Sequence, residues 1–512
     1  MRFIALILIL ISCSGSDKPT AKKTSKKKKA LPQAQPLEKA HAPVMLIGAD
    51  GLDCDLASPM LKEGKLPNLA KLMQAGVAGK LGTLKPTKSP VIWTTIATGI
   101  GKKRHGITGF MNKRAGEPEP DPHGHDEEEE TTGEDNAYSQ GLAAESTKKK
   151  SLVRTTDRKV KALWNIASDA GRSVASIGWW VTWPVEPING IMVAQTNTVR
   201  PKSQDMNTKI LKGGLYADMP GQIWPLERQD ALGQTIDKVD ATMEARVAEI
   251  FGGPIDLSHS PEFERLWSQS RWSVRADLTY HELAKALLEE RKDDPLDLFM
   301  VYYGGTDVLA HRFFRWAYPD DFAHRPSEAQ LQAYGHIMPK YYEEFDRMLG
   351  ELMERAPENA NIIVVSDHGM HAVNADKPFK GDLKEGEKGG RRLSGGHNTA
   401  PPACLIAAGP QIVKPSQPMD LSKLEAGVIP QMGRVLTVTP TILHILGIPT
   451  ARDMKGHPSK QILSPSFMAA NPVGKVNTHT PKGWKPTVVE VDMKERNEDA
   501  RKEQLRALGY IE

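Results

Sequence analysis

Three aspartates and three histidines stand just past short apolar runs, and together they have the chemistry of a metal site. Val44-Met45-Leu46-Ile47-Gly48-Ala49 stops at Asp50. Leu298 to Tyr303 runs into Gly304-Gly305-Thr306-Asp307, with His311 four residues on. Ile362 to Val365 ends in Ser366-Asp367-His368, and Ser394-Gly395-Gly396-His397-Asn398 adds a further imidazole. Positions i and i+4 share one face of a helix, so Asp307 and His311 would point the same way. Adjacent Asp367 and His368 suit an irregular loop. Carboxylates mixed with imidazoles favour zinc, with manganese or iron as competitors. One strand-end aspartate alone is more often a cap or turn residue; the repetition sets these apart.

The elements that must position them read as alternating strands and helices. Apolar runs such as 44–49, 298–303, 362–365 and 404–408 have the length and composition of buried strands. Residues 66–76 and 90–99 have helical apolar spacing and glycine stops, the second with proline in its first turn. Helices are also expected at 162–170, across 230–292, at 341–355 and at 440–446, and a strand at 173–183. This alternation predicts an α/β layered fold. In such sheets ligands collect beyond the carboxyl ends of the strands, where the aspartates and histidines lie.

Composition bounds the rest. The 512 residues carry 67 Lys+Arg against 63 Asp+Glu, a net charge of +4, and 39% are hydrophobic. That content builds a sizeable core, and the near-balance of charge argues against a dedicated nucleic-acid binder. Residues 1–29 alone hold a net +7, leaving −3 for the remainder. The apolar run Phe3–Ile11 is too short to span a bilayer, which needs about 20 residues. It has the length of a signal-peptide core. Leu10-Ile11-Ser12-Cys13 resembles a bacterial lipoprotein cleavage box, which implies export and a lipid anchor on Cys13. Residues 1–13 are thus expected to be signal peptide and lipobox, and 14–40 a flexible basic tether. Residues 113–150, with their EPEPDPHGHDEEEE run, are expected to be a disordered acidic insertion. Three cysteines exclude a disulfide scaffold. Cys54 and Cys404 could pair in an oxidising compartment or remain two separate buried thiols.

The motifs VMLIGADGLDCD, GKLPNLAKLMQAGVAGKLGTLKPTKSPVIWTTIATGIGKKRHGITGF, YYGGTDVLAHRFFRW, VVSDHGM, SGGHN and PTILHILGIPTARDMKG occur in an order that resembles the type I phosphodiesterase/nucleotide pyrophosphatase family of the alkaline phosphatase superfamily. The resemblance covers roughly 43–460. It implies an alkaline-phosphatase-like core with a mostly parallel central sheet flanked by helices. With it come one catalytic domain over 41–470, a helical cap-like insertion at about 200–295, and a peripheral tail over 471–512. It further implies two divalent metal ions, one held by Asp307, His311 and His397, the other by Asp50, Asp367 and His368. The nucleophile position falls on Ser89, whose oxygen would be a further metal ligand and would carry a covalent phosphoryl group. Ser89 precedes Pro90 at an expected helix N-terminus, where free amides favour an anionic oxygen. A neighbouring dication lowers a hydroxyl's pKa. The family places an asparagine 21 residues after the nucleophile; here that position is Phe110, and Asn112 lies two residues on as the substitute substrate contact.

The resulting expectation is a lipid-anchored envelope hydrolase of small phosphodiesters or nucleotides. A phosphomonoesterase or a phosphoryl-headgroup transferase of the same superfamily is the alternative. A sulfatase would need an arginine in a Cys/Ser-x-Pro-x-Arg motif, and Ser89-Pro90-Val91-Ile92-Trp93 lacks it. A catalytically silent lipoprotein would have lost ligands or the nucleophile; all are present. Trp179, Trp180 and Trp183 are candidates for a stacking platform, against ordinary core packing. His105 is expected to be structural or to support the site from behind, and Lys102, Lys103 and Arg104 to form a solvated loop, against a role in attracting a phosphate-bearing substrate.

Overall fold

The computed structural model describes residues 41–110, 153–199, 210–214, 220–383, 390, 393–424, 427 and 429–491. The expected signal peptide, Cys13, the tether, Asn112, the acidic insertion and the end of the tail lie outside them. Nine strands form the main sheet: β1 Val44–Ala49, β2 Val77–Gly82, β3 Val174–Ile177, β4 Gly190–Val193, β5 Ile223–Trp224, β6 Leu298–Tyr303, β7 Asn361–Val365, β8 Ala403–Ala408 and β9 Gln431–Arg434. Their spatial order is β9-β2-β8-β7-β1-β6-β3-β4-β5. β1 pairs in parallel with β6 and β7, β6 with β3, and β3 with β4. β8 runs antiparallel to both its neighbours.

Both faces of the sheet are covered, which is why its central strands are apolar throughout rather than alternating. Successive side chains still divide between two cores. Val44, Leu46, Leu298 and Met300 join one; Met45, Ile47, Phe299 and Val301 join the other. The first core is closed by helices α3 Ser89–Thr98, α4 Leu163–Asp169 and α9 Val438–Ile445. The second is closed by α1 Cys54–Lys62, α2 Pro67–Ala75, α6 Arg271–Glu290 and α8 Ile337–Arg355. Each fully buried aliphatic side chain contributes about 1.5–3 kcal/mol, so a one-residue slip of a central strand would exchange two complete sets of contacts. Among the described residues no helix is long and apolar enough to cross a membrane.

The segment expected as a cap supplies part of this second layer. α5 Gln229–Phe251 and α6 are long helices; α6 packs on β6, and both helices pack on α8. Tyr280, Ala284 and Leu287 of α6 belong to the core beneath the sheet. The strand expected over 173–183 stops at Ile177, because Gly178 takes a left-handed φ of +71° and the tryptophans after it form a buried loop. Cys54, the first residue of α1, is bonded to Cys404 of β8 at a Cα–Cα distance of 5.4 Å.

Candidate active site

The sheet register brings the strand ends to one level. Ala49 lies opposite Tyr303, and Gly48 opposite Val365. Asp50, Gly304 and Ser366-Asp367-His368 therefore leave the sheet side by side. Gly51 turns the chain with φ +66°, and a Cβ there would meet Asp307 Cα at 3.0 Å. Its amide donates to Asp367 Oδ1 at 3.3 Å.

Asp307 and His311 sit on helix α7 Gly305–Ala317, as the i, i+4 spacing requires. His311 Nδ1 donates to the Gly395 carbonyl at 2.9 Å, which leaves the Nε2 lone pair facing the site. That Nε2 is 3.3 Å from Asp307 Oδ1 and 3.1 Å from His397 Nε2. His368 Nδ1 donates to the Gly369 carbonyl at 3.0 Å, so its Nε2 also faces inward, 3.2 Å from Asp367 Oδ2 and 3.4 Å from Asp50 Oδ1. Asp307, His311 and His397 form one group whose ligand atoms all lie within 4.8 Å of one another. Asp50, Asp307 and His368 form another, so Asp307 stands between the two, with Asp367 against His368.

This donor set fits divalent cations. Asp50 and Asp367 are buried, and neither Asp50 Oδ1 nor Asp367 Oδ2 receives a hydrogen bond from the described protein. Burial, and then repulsion from Asp307, pushes the Asp50 carboxyl up to about 7. Burial, and then the Asp50 charge, raises Asp367 well above the usual carboxylate range. Buried carboxylates packed this closely need a positive charge among them to be ionised together.

Further side chains, not apparent from the sequence, orient these aspartates and histidines. Trp93 Nε1 donates to Asp50 Oδ2 at 2.9 Å and the Tyr302 hydroxyl donates to the same atom at 2.6 Å. Asp277 of α6 accepts from the amides of Gly304 and Gly305 at 2.8 and 2.7 Å and from the Tyr341 hydroxyl at 2.8 Å. It thereby caps α7, the helix that carries Asp307 and His311. Burial pushes its carboxyl up to about 7 against the pull of those three donors. No motif marks Asp277; only the fold brings α6 beneath α7.

Ser89 is the first residue of α3, is buried, and lines the same cavity as Asp50 and Asp307. Trp179, Trp180 and Trp183 all belong to the core, and of the three Trp180 also lines this cavity, so the stacking platform reduces to one ring. Phe110 packs edge-on against Trp180 at 5.9 Å between centroids. His105 is fully buried, beside Thr95 Oγ1 and the Ile107 amide, in a structural role. Lys103 and Arg104 are exposed, and Arg104 pairs with Asp453.

Residues 44–421 match the family described as type I phosphodiesterase/nucleotide pyrophosphatase. No curated protein matches the chain. Among solved structures it resembles murine ectonucleotide pyrophosphatase/phosphodiesterase 5, at 13% identity over 83% of this chain and 100% of that one, with a TM-score of 0.39. It also resembles the phosphonoacetate hydrolase of Sinorhizobium meliloti 1021, at 13% identity over 65% of this chain, with a TM-score of 0.34; the match spans only 57% of that hydrolase. A third likeness is to BT1596, a 2-O GAG sulfatase, at 10% identity over 86% and 76% of the two chains, with a TM-score of 0.41.

Proposed function

The chain belongs to the type I phosphodiesterase/nucleotide pyrophosphatase family, hydrolases of phosphoester bonds within the alkaline phosphatase superfamily, and we propose that it cleaves small phosphodiesters through a covalent phospho-Ser89 intermediate at a site for two divalent cations, zinc foremost. The observation that carries this reading is the placement of Ser89, at the N-terminus of a buried helix and in one cavity with Asp50 and Asp307.

Asp307, His311 and His397 would hold one cation, and Asp50, Asp367 and His368 the other, with Ser89 Oγ as a further ligand. Bound there, the cations would supply Lewis acidity, neutralising phosphate charge and lowering the pKa of the serine hydroxyl. Trp93 and Tyr302 hold one oxygen of Asp50, leaving the other directed at His368. The buried α3 presents the positive end of its dipole where the phosphoryl group arrives. Ser89 Oγ attacks phosphorus, the bond from phosphorus to the leaving oxygen breaks, and the alcohol departs with a proton. Water then attacks phospho-Ser89; the P–Oγ bond breaks, the serine recovers its proton, and a phosphomonoester leaves.

A second reading, phosphomonoesterase or headgroup transferase, is favoured by one residue. Phe110 stands where the family's asparagine is expected and offers no hydrogen bond to a phosphate oxygen. A screen of nitrophenyl phosphate, bis-nitrophenyl phosphate and nitrophenyl sulfate with added zinc or manganese separates the readings. Preference for the bis-ester supports the diesterase; exclusive use of the monoester overturns it.

We further infer export to a bacterial envelope with a lipid anchor on Cys13. The buried Cys54–Cys404 bridge supports this, since such bridges persist in oxidising compartments. Labelled palmitate should enter the wild-type chain and not Cys13→Ala; equal labelling of both sinks the anchor.

A further inference from the structure

The cavity that Ser89, Asp50 and Asp307 line, about 20 Å³ in all, is walled further by Trp180, Gln195, Trp272, Tyr280 and Asp277. Tyr280 is 1% exposed and Gln195 4% exposed. The Tyr280 hydroxyl and Gln195 Oε1 meet no hydrogen-bonding partner among the described residues. Burying a polar atom unmet is unfavourable, and here two of them belong to residues lining one small cleft beside the proposed nucleophile. Among the described residues that line the cavity, the charged ones are Asp50, Asp277 and Asp307.

We propose that this cleft holds the alcohol moiety of the phosphoester, and that it takes a small, non-anionic alcohol bearing a hydrogen-bond donor, a hydroxyl or an ammonium group. The proposal rests on Ser89 being the nucleophile. A donor on the alcohol would meet Gln195 Oε1 or the Tyr280 oxygen. The indoles of Trp180 and Trp272 offer faces that accept C–H groups or a cation. A cavity of this size favours a small alcohol over one bearing a purine or pyrimidine ring. Asp277, the lining carboxylate outside the proposed ligand set, offers a second phosphate, as in a nucleoside pyrophosphate, a like charge and no cation. The site therefore favours glycerol-like or aminoethyl-like diesters over nucleotides.

The test holds the leaving group constant. Methyl, glyceryl, aminoethyl and thymidine nitrophenyl phosphates are compared by kcat/KM with the metal-loaded full chain. The glyceryl or the aminoethyl ester should exceed the methyl ester by about tenfold, the worth of one well-placed hydrogen bond, and whichever is higher identifies the donor. The thymidine ester should fall below both. Tyr280→Phe should bring the ratio of the preferred ester to the methyl ester close to one. Preference for the thymidine ester, or a ratio unchanged in both Tyr280→Phe and Gln195→Met, overturns the proposal while leaving the Ser89 reading intact. Should no ester be hydrolysed, the Ser89 reading fails. Calorimetric binding of glycerol phosphate, phosphoethanolamine and thymidine monophosphate then decides the cleft by itself: tightest binding of the thymidine compound, or no binding of the other two, overturns it.

Discussion

His311 Nε2 and His397 Nε2 lie 3.1 Å apart, across 86 residues of chain. The Gly395 carbonyl takes the proton of His311 Nδ1, so the Nε2 lone pair is turned toward His397. Asp307 Oδ1 faces both, at 3.3 and 3.9 Å. A cation shared among the three is the arrangement that makes this convergence favourable.

His397→Ala should therefore lower the bound metal from two ions per chain to one. Elemental analysis of the dialysed protein reads this directly. Two retained ions would remove His397 from the ligand set.

Ser89→Ala should reduce turnover of a chromogenic diester by about 10³-fold or more, the scale seen when a covalent nucleophile is lost. Metal content and melting temperature should stay close to wild type. A variant that still turns over freely would exclude Ser89 as the nucleophile.

Gly48 lies under the Trp93 ring, where an added Cβ would come within 2.9 Å of Cζ3 and Cη2. Gly48→Ala must displace that ring, and with it the indole that donates to Asp50. The expected cost is about 1–3 kcal/mol of stability, typical of overpacking, together with weaker metal binding. Denaturant unfolding and metal titration measure the two effects separately.

His105 sets an acid limit on stability. Burial, and then the Arg158 charge, lowers its pKa from 6.5 to about 3. The Ile107 amide donates to Nδ1, so the neutral ring is the one the fold accepts. In the unfolded chain the imidazole binds a proton below about 6.5, whereas in the fold it does so only near 3. The unfolded state then holds more protons throughout that window, and stability falls as pH drops through it. His105→Gln should flatten the slope of stability against pH between about 6.5 and 3, whatever its cost at neutral pH. An unchanged slope would place the acid sensitivity elsewhere.

Much of the site was legible because its signals are local. A buried strand announces itself by an apolar run; Asp50 follows such a run directly, and Asp367 and Asp307 follow theirs within a few residues. The i, i+4 spacing of Asp307 and His311 survives unchanged in α7. Proline and glycine marked both ends of α3, and with them the setting of Ser89. Local signals were poorest where backbone geometry overrides composition, as at Gly178, which ends β3 before the tryptophans.

By itself the sequence determined the layered class, the strand-end aspartates and histidines and the serine at a helix start, since each depends on a few neighbouring residues. Tertiary structure alone decided that Asp307 stands between the two ligand groups, that Cys54 meets Cys404, and that Trp180 reaches the cavity while Trp179 and Trp183 do not. It also decided that Asp277, Gln195 and Tyr280 line one cavity with Ser89. These contacts join segments whose nearness follows from strand order and register. Those are settled by burying both faces of one sheet at once, a condition that no local stretch of sequence expresses.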